Sequence, residues 1–145
     1  MWHDGVRHVG LMLVAACLAL LASMAEVRTQ TPAPLMGAVS AVEDRLFGRL
    51  ILQFPEPIGV KVNVTGAVMV VMFDRPVQVL ESRIAAALPG YVAAARVDPD
   101  LRSMRLALVR PVRAHLKDAA EKTFIDFLPA EWKGPPPPLP PDVVE

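Results

Sequence analysis

The chain has few of the side chains that usually carry metal and thiol chemistry, since it holds one cysteine and three histidines in 145 residues. Cys17 lies in an apolar run near the N-terminus, and His115 is the only histidine beyond residue 25. One thiol cannot form an internal disulfide, and one imidazole without thiols cannot furnish a Cys/His zinc site. The composition therefore predicts a domain with no disulfide, no metal and no cofactor.

Nucleophilic catalysis also has little support in the sequence. A hydrolase needs a nucleophile, a base and a group that orients the base. No serine lies in a G-x-S-x-G turn, and the sequence has no glycine-rich phosphate loop. His115 is expected on the polar face of a strand, as an exposed surface residue. We therefore expect a protein that is not an enzyme.

Three carboxylates are the remaining candidates for acid–base chemistry of the kind that cleaves glycosides. Glu56 lies between two prolines, and Glu81 is expected on a helix surface beside Arg83. Asp126 interrupts an apolar strand, where it has to face water or pair with an arginine. A structural salt bridge and a functional role for Asp126 both stay open.

The first 25 residues have the layout of a secretory signal peptide. A positively charged start precedes an apolar run over residues 9–22, and Ser23-Met24-Ala25 offers small residues where signal peptidase needs them. We therefore predict cleavage of residues 1–25 and export to the periplasm. Two alternatives stay open. One is lipidation at Cys17, and the other is retention as a membrane anchor through residues 9–25, a run that is short for a span of about 20 residues.

Overall charge is balanced, with 15 basic and 15 acidic residues, but its distribution is uneven. Residues 45–117 hold eleven basic and five acidic side chains, a net charge of +6. A positive surface favours anionic partners, and export argues against nucleic acid. We expect the partner to be peptidoglycan or another anionic envelope polymer, or an envelope protein, bound without a small-molecule cofactor.

A cluster of basic residues in the second half of the chain is the predicted binding surface: Arg102, Arg105, Arg110, Arg113 and Lys117. If residues 104–109 and 112–116 pair as a hairpin, Arg105 and Arg113 lie close together on one face. Tyr91 is included as an aromatic ring that either stacks on a sugar or caps the core. The alternative is a solvated face that only keeps the domain soluble.

Alternating apolar and polar residues predict six or seven short strands, with residues 112–116 as the optional one. They cover residues 48–54, 60–65, 67–73, 91–97, 104–108, 112–116 and 123–128, with turns at residues 65–66, 98–100 and 117–122. The helical spacing of Leu80, Ile84 and Leu88 predicts one inserted helix over residues 77–88. The predicted fold is mainly β (a β-rich α+β domain), a small antiparallel β-sandwich or curled sheet.

Composition divides the chain into a signal peptide (1–25), a flexible leader (26–44), a β domain (45–128) and a proline-rich linker or tail (129–145). Residues 36–46, which overlap the end of the leader, have a weak helical pattern. The prolines at 135–138 lack amide hydrogens and predict an extended polyproline II spacer. A stiff spacer normally separates two parts, so either a partner docks on the tail or the chain is the front of a longer protein, and we favour the second.

Two stretches resemble AMIN-type domains: residues 48–55 with the hairpin over residues 60–73, and the strand over residues 123–128 with Asp126 near its centre. Such domains are small β-sandwich modules of the bacterial periplasm that precede amidase or secretin domains and are thought to bind cell wall. The turn at Pro89-Gly90-Tyr91 and the ending over residues 127–138 resemble the N-terminal part of large exported tetratricopeptide-repeat proteins. The resemblance covers residues 45–141 and supplies no catalytic residue. The inserted helix departs from a plain AMIN sandwich.

The sequence thus predicts a non-enzymatic exported envelope module that binds cell-wall polymer or a partner protein through a basic sheet face. The alternative is a scaffold: the N-terminal assembly domain of a longer repeat protein, truncated here, that presents or dimerises a downstream part.

Overall fold

The structure is a computed structural model, and it describes residues 30–144. The predicted signal peptide (1–25), the lipidation site at Cys17 and the membrane anchor (9–25) lie outside the described residues. Between residues 30 and 144, no helix has the length and apolar character that a membrane span requires.

Ten strands and two short helices make up the described part of the chain. The strands are β1 (Leu35–Met36), β2 (Ala38–Glu43), β3 (Gly48–Gln53), β4 (Val60–Thr65), β5 (Val68–Phe73), β6 (Val77–Gln78), β7 (Val92–Val97), β8 (Ser103–Leu108), β9 (Val112–Ala119) and β10 (Lys122–Pro129). The helices are α1 (Ser82–Ala87) and α2 (Pro141–Val144).

Eight of these strands form two antiparallel sheets. The first sheet has the order β2-β3-β10-β9, and the second has the order β4-β5-β8-β7. The two shortest strands, β1 and β6, pair in parallel. The mainly β, antiparallel fold class expected from the alternating pattern is confirmed.

The two sheets share one hydrophobic core, as in a sandwich. On each strand, alternate side chains point inward, because successive residues of a strand face opposite sides of the sheet. Leu50 and Leu52 of the first sheet and Met69 and Leu106 of the second are fully buried and belong to the same cluster. The remaining faces of the two sheets therefore point away from each other, on opposite sides of the domain.

The inserted helix exists but is shorter than the predicted range of residues 77–88. Val77 and Gln78 form β6, and helix α1 spans only Ser82–Ala87. Ile84 and Leu88 are fully buried, whereas Leu80 is 60% exposed. The reason is that the first part of the range alternates with a period of two, so that it is extended, and only the second part has helical spacing.

The flexible leader was expected to reach residue 44, with a weak helix over residues 36–46, and this is wrong for residues 35–43. Strand β2 pairs antiparallel with β3 and extends the first sheet. Val39 and Ala41 point towards the core from this strand. Gly37 permits the close approach, because a Cβ there would lie 2.4 Å from the Phe54 ring.

The hairpin about Gly66 is confirmed, and the predicted hairpin of residues 104–109 with 112–116 is wrong. Gly66 has a φ of 58°, which favours glycine, and β4 pairs antiparallel with β5. Strand β8, however, has β5 on one edge and β7 on the other. Both of its edges are occupied, so β9 crosses to the first sheet and pairs with β10.

The polar turn expected over residues 117–122 is also shorter than predicted. Strand β9 continues to Ala119, and β10 begins at Lys122. Ala120 takes a positive φ of 54° in the two-residue turn between them. The polar residues Lys117 and Asp118 are exposed residues near the end of an edge strand, a position that tolerates charge.

Candidate functional site

The predicted basic residues do not share one face. Arg105 lies on β8 in the second sheet, whereas Arg113 and Lys117 lie on β9 in the first. Arg102 precedes β8, and Arg110 lies in the connection that crosses between the sheets. The expected proximity of Arg105 and Arg113 is therefore wrong, because their strands belong to sheets whose outer faces point in opposite directions.

Three of these arginines make contacts that hold the fold in place. A terminal nitrogen of Arg102 donates to the carbonyl oxygen of Asp74 at 2.8 Å. One of Arg113 donates to the carbonyl oxygen of Trp132 at 2.6 Å. The guanidinium carbon of Arg110 lies 5.1 Å from the centre of the Tyr91 ring, a cation–π distance.

Tyr91 is a core residue and not a sugar-stacking platform. Its side chain is 3% exposed, and its ring packs against Phe127 with the ring centres 6.0 Å apart. Burial raises the pKa of the Tyr91 hydroxyl above its usual value, and the charge of Arg110 opposes this shift. Of the two interpretations left open by the sequence, capping of the core agrees with this burial.

The outer face of the second sheet carries a different pair of arginines, and we call it the arginine face. The register of the strand pairs arranges its outward residues in three rows across the strands. The middle row holds Asn63, Val70, Arg105 and Arg96. One flanking row holds Lys61, Met72 and Ser103, and the other holds Thr65, Val68, Ala107 and Ala94. Arg96 stands directly opposite Arg105 on the neighbouring strand. Side chains in such positions have Cβ atoms about 5 Å apart.

A carboxylate anchors one of the two arginines. The Nε–H of Arg105 donates to both oxygens of Asp98, at 3.1 and 3.0 Å. The hydroxyl of Ser103 donates to the same carboxylate at 2.6 Å. These bonds, with that of Ser103 the larger influence, lower the pKa of Asp98 below its usual value. The carboxylate is therefore ionised at neutral pH and fixes the direction of the Arg105 stem.

The ends of both guanidinium groups remain accessible. The Arg105 side chain is 56% exposed, and Arg96 is exposed. Within residues 30–144, Arg96 makes no side-chain hydrogen bond and no ion pair. A surface cavity of about 250 Å³ lies beside Lys61 and Met72, and another of about 240 Å³ lies between the two arginines and Val68. The face therefore combines exposed cations with apolar hollows.

The sequence reasoning missed Arg96, although a signal was present. Residues 98–100 were predicted as a turn between two strands, and this turn is confirmed. Counting the hairpin register outward from that turn places Arg96 opposite Arg105. The predicted set was instead chosen by proximity along the chain.

The first sheet carries a buried ion pair on its outer face. The Nε–H of Arg49 donates to Asp126 at 2.6 Å, and a terminal nitrogen donates to the other carboxylate oxygen at 3.0 Å. Arg49 and Asp126 are 7% and 2% exposed. The salt bridge, one of the two roles left open for Asp126, is confirmed.

His115 lies beside this pair and is less exposed than predicted. It stands opposite Asp126 across the β9–β10 ladder, and its side chain is 33% exposed. Its Nδ1 atom is buried, has no hydrogen-bond partner in the described residues, and lies 3.7 Å from an oxygen of Asp126. Its partial burial follows from its place in the row that contains Arg49 and Asp126.

The other acidic candidates do not converge on one site. Glu56 accepts a hydrogen bond from Arg75 on the surface, and Glu81 is the residue that precedes helix α1. Among residues 30–144, no group of three or more His, Cys, Asp or Glu side chains is placed to hold a metal ion.

No protein-family model and no curated protein matches this chain. The resemblance to AMIN-type domains therefore stays a prediction.

Proposed function

We propose that the protein is a non-enzymatic, exported envelope module that binds an anionic cell-wall polymer through its arginine face. The observation that carries the proposal is the placement of Arg96 directly opposite Arg105. Like charges in directly opposed positions of a sheet destabilise it. An anion that bridges the two guanidinium groups removes that repulsion and gains two charge-assisted hydrogen bonds.

The geometry favours carboxylates or phosphates on an extended ligand. A guanidinium donates two parallel hydrogen bonds to such groups. Each hydrogen bond to a charged group contributes about 1.5–3 kcal/mol, so the loss of both arginines weakens binding by at least about tenfold. Asp98 holds only the Nε–H of Arg105, which leaves the terminal nitrogens for the ligand.

The apolar part of the face suits the backbone of the polymer. Val68 is 40% and Met72 is 38% exposed, on the strand beside Arg105. Apolar contact beside the cations gives a surface that holds sugar rings and methyl groups as well as acidic groups. Anionic glycopeptides such as peptidoglycan combine these chemical features.

A sedimentation assay with purified sacculi tests the proposal. We expect wild type to pellet with sacculi at low salt and to be released as ionic strength rises, because exposed charges are screened. Arg96→Ala/Arg105→Ala should reduce retention at least about tenfold. The matched control is Lys117→Ala/Lys122→Ala, which removes two cations from the outer face of the opposite sheet and should retain wild-type binding. Equal retention of both double variants contradicts the proposal.

A scaffold is the second candidate, and the exposed apolar strip favours it. Val68 and Met72 lie in the two rows that flank the row of Val70, so the strip also suits a protein surface. If the module only assembles a longer protein, Val68→Ser/Met72→Ser should convert an oligomer to a monomer in sedimentation velocity and leave retention on sacculi unaffected. The arginine variant, in that case, changes neither measurement.

A further inference from the structure

The proline-rich C-terminal segment lies on the outer face of the first sheet. After β10 the chain turns, with the Trp132 amide donating to the carbonyl oxygen of Pro129 at 2.9 Å. Gly134, at a bend in the chain, has a φ of 90°, a conformation that favours glycine. Residues 135–140 then run back across Arg49, whose terminal nitrogen donates to the carbonyl oxygen of Pro138 at 3.0 Å. The segment was predicted as a spacer, and these contacts show that it also packs on its own domain.

The segment runs in the same direction as β3. Arg49 donates to the carbonyl oxygen of Pro138, and Pro140 lines a cavity with Arg49 and Ile51. Beyond the prolines, Asp142 of helix α2 lines a cavity with Gln53, at the end of the strand. The chain therefore follows the outer side of β3 from Arg49 towards Gln53.

The face that receives the segment, which we call the proline face, is built from aromatic rings around a buried cation. Phe124 and Leu128 point outward from β10 yet are 1% and 5% exposed. The Arg49 guanidinium lies 5.2 Å from the ring centre of Phe47 and 5.6 Å from that of Phe124. Grooves lined with aromatic rings and supplied with hydrogen-bond donors are the usual receptors for polyproline II segments.

The contacts distinguish the segment's buried side from its exposed side. Pro137 is buried, whereas Pro136 and Pro138 are exposed. The backbone carbonyls supply the polar contacts: Pro138 to Arg49, and Pro135 to the Trp132 indole N–H at 3.2 Å. Recognition therefore depends on polyproline geometry and carbonyl acceptors, which any proline-rich peptide offers.

The fit is incomplete near Pro140. A cavity of about 150 Å³ remains between Pro140, Val42, Phe47, Arg49 and Ile51. The cavity opens to the surface, so the segment does not cover this part of the face completely. Room beside the segment indicates a surface that accepts a bulkier side chain than proline at this position.

We propose that the proline face is a receptor for polyproline II segments of partner proteins, and that residues 135–140 occupy it in cis as a competitive latch. A partner with a proline-rich stretch binds when it displaces the latch. The connection over residues 130–134 is short, so the latch has an effective concentration in the millimolar range or above. This competition keeps the face closed to weak ligands. The proposal uses the sheet opposite the arginine face, so it stands independently of polymer binding.

The test is fluorescence anisotropy with a fluorescein-labelled peptide that has the sequence of residues 134–141, added to the full chain. We expect wild type to bind it weakly. Pro137→Gly loosens the buried contact of the latch and should lower the apparent Kd about tenfold or more, because a larger fraction of molecules has a free face. Pro136→Gly is the matched control, since it makes the same change at an exposed neighbour and should behave as wild type. A peptide with glycine in place of Pro137 should bind less tightly than the parent peptide.

A second variant tests the cation. Arg49→Lys keeps a positive charge beside Asp126 but loses the planar guanidinium, which donates to the Asp126 carboxylate and to the Pro138 carbonyl oxygen at the same time. Combined with Pro137→Gly, it should weaken peptide binding about fivefold or more relative to Pro137→Gly alone, while circular dichroism remains that of a folded sheet.

A second measurement decides the matter if Pro137→Gly does not fold. Excess peptide added to wild type should shift the NMR signal of the Trp132 indole N–H, which the latch holds through Pro135. The proposal is overturned if Pro137→Gly binds peptide no better than wild type, or, where that variant is unfolded, if the Trp132 signal does not move. Concentration-dependent dimerisation of Pro137→Gly without peptide binding also overturns it, in favour of segment exchange between copies.

Discussion

The buried pair of Arg49 and Asp126 gives the sharpest stability prediction. Removing one partner of a buried pair leaves an uncompensated charge and costs about 3–5 kcal/mol. We therefore expect Asp126→Leu to lower the free energy of unfolding by that amount. Arg49→Met should cost at least as much, because it also removes the bond to Pro138 and the contacts with the rings of Phe47 and Phe124.

The double variant separates a charge effect from a packing effect. Arg49→Met/Asp126→Leu leaves no buried charge, and well-packed apolar replacements of such pairs are often neutral or stabilising. Its free energy of unfolding should lie within about 2 kcal/mol of wild type, far from the sum of the two single changes. Additive losses would show that the two side chains act independently.

Urea denaturation followed by circular dichroism measures these differences through linear extrapolation. The matched control is the surface pair of Arg75 and Glu56, whose side chains are 38% and 52% exposed. Arg75→Met should cost less than about 1 kcal/mol, as exposed pairs do. If Asp126→Leu costs no more than Arg75→Met, the reasoning about burial is refuted.

Three further predictions concern other parts of the domain. Ser103→Ala removes the larger influence on the Asp98 carboxyl, so we expect an NMR titration to give a higher pKa for Asp98 in the variant. Because the pKa of Asp98 is lowered in the folded state, the ionised carboxylate stabilises the fold above its unfolded pKa of about 3.9. This contribution is lost as pH falls through the folded pKa, and the loss begins at a higher pH in the variant than in wild type. An unchanged titration curve contradicts the assigned bond. Gly37→Ala places a methyl group against the Phe54 ring and should lower the free energy of unfolding by about 1–3 kcal/mol in urea denaturation. An unchanged free energy would mean that β1 and β2 do not pack as described. In the same assay, Ile84→Ala should lower the free energy of unfolding by about 2–5 kcal/mol and Leu80→Ala by less than about 0.5 kcal/mol. Similar losses for the two variants would support the longer helix over residues 77–88.

Strand positions were predictable because half-buried strands alternate in polarity along the chain. The seven predicted strands are present, and Leu50, Leu52 and Met69 face inward as their spacing requires. Pairing between strands was harder to predict, because it depends on which edges are free. Residues 109–111 look like a tight turn in the sequence, yet they carry the chain from one sheet to the other.

The proline face was not predicted, because a run of prolines has no side-chain periodicity that indicates a docking side. A partial signal existed in β10. Phe124 and Leu128 share a face with Asp126, and an outer face with two large apolar residues requires a cover. The chain segment that supplies it is identified only by the contacts of Arg49.

The arginine face was partly within reach of the sequence. Arg105 was selected correctly as an outward residue of a strand, since Met104 and Leu106 on either side of it are buried. The predicted partner, Arg113, lies on the next strand along the chain, but that strand belongs to the other sheet. Arg96 follows three alanines and therefore did not stand out within a charged cluster.

The most direct test of the binding account is NMR of protein labelled with ¹⁵N at the arginine Nε positions, titrated with a soluble peptidoglycan fragment. The account predicts that the Nε–H signals of Arg96 and Arg105 shift with a common saturation curve, and that the signal of Arg113 stays in place. Movement of the Arg113 signal without the other two, or no movement of any of them at saturating fragment, would contradict it.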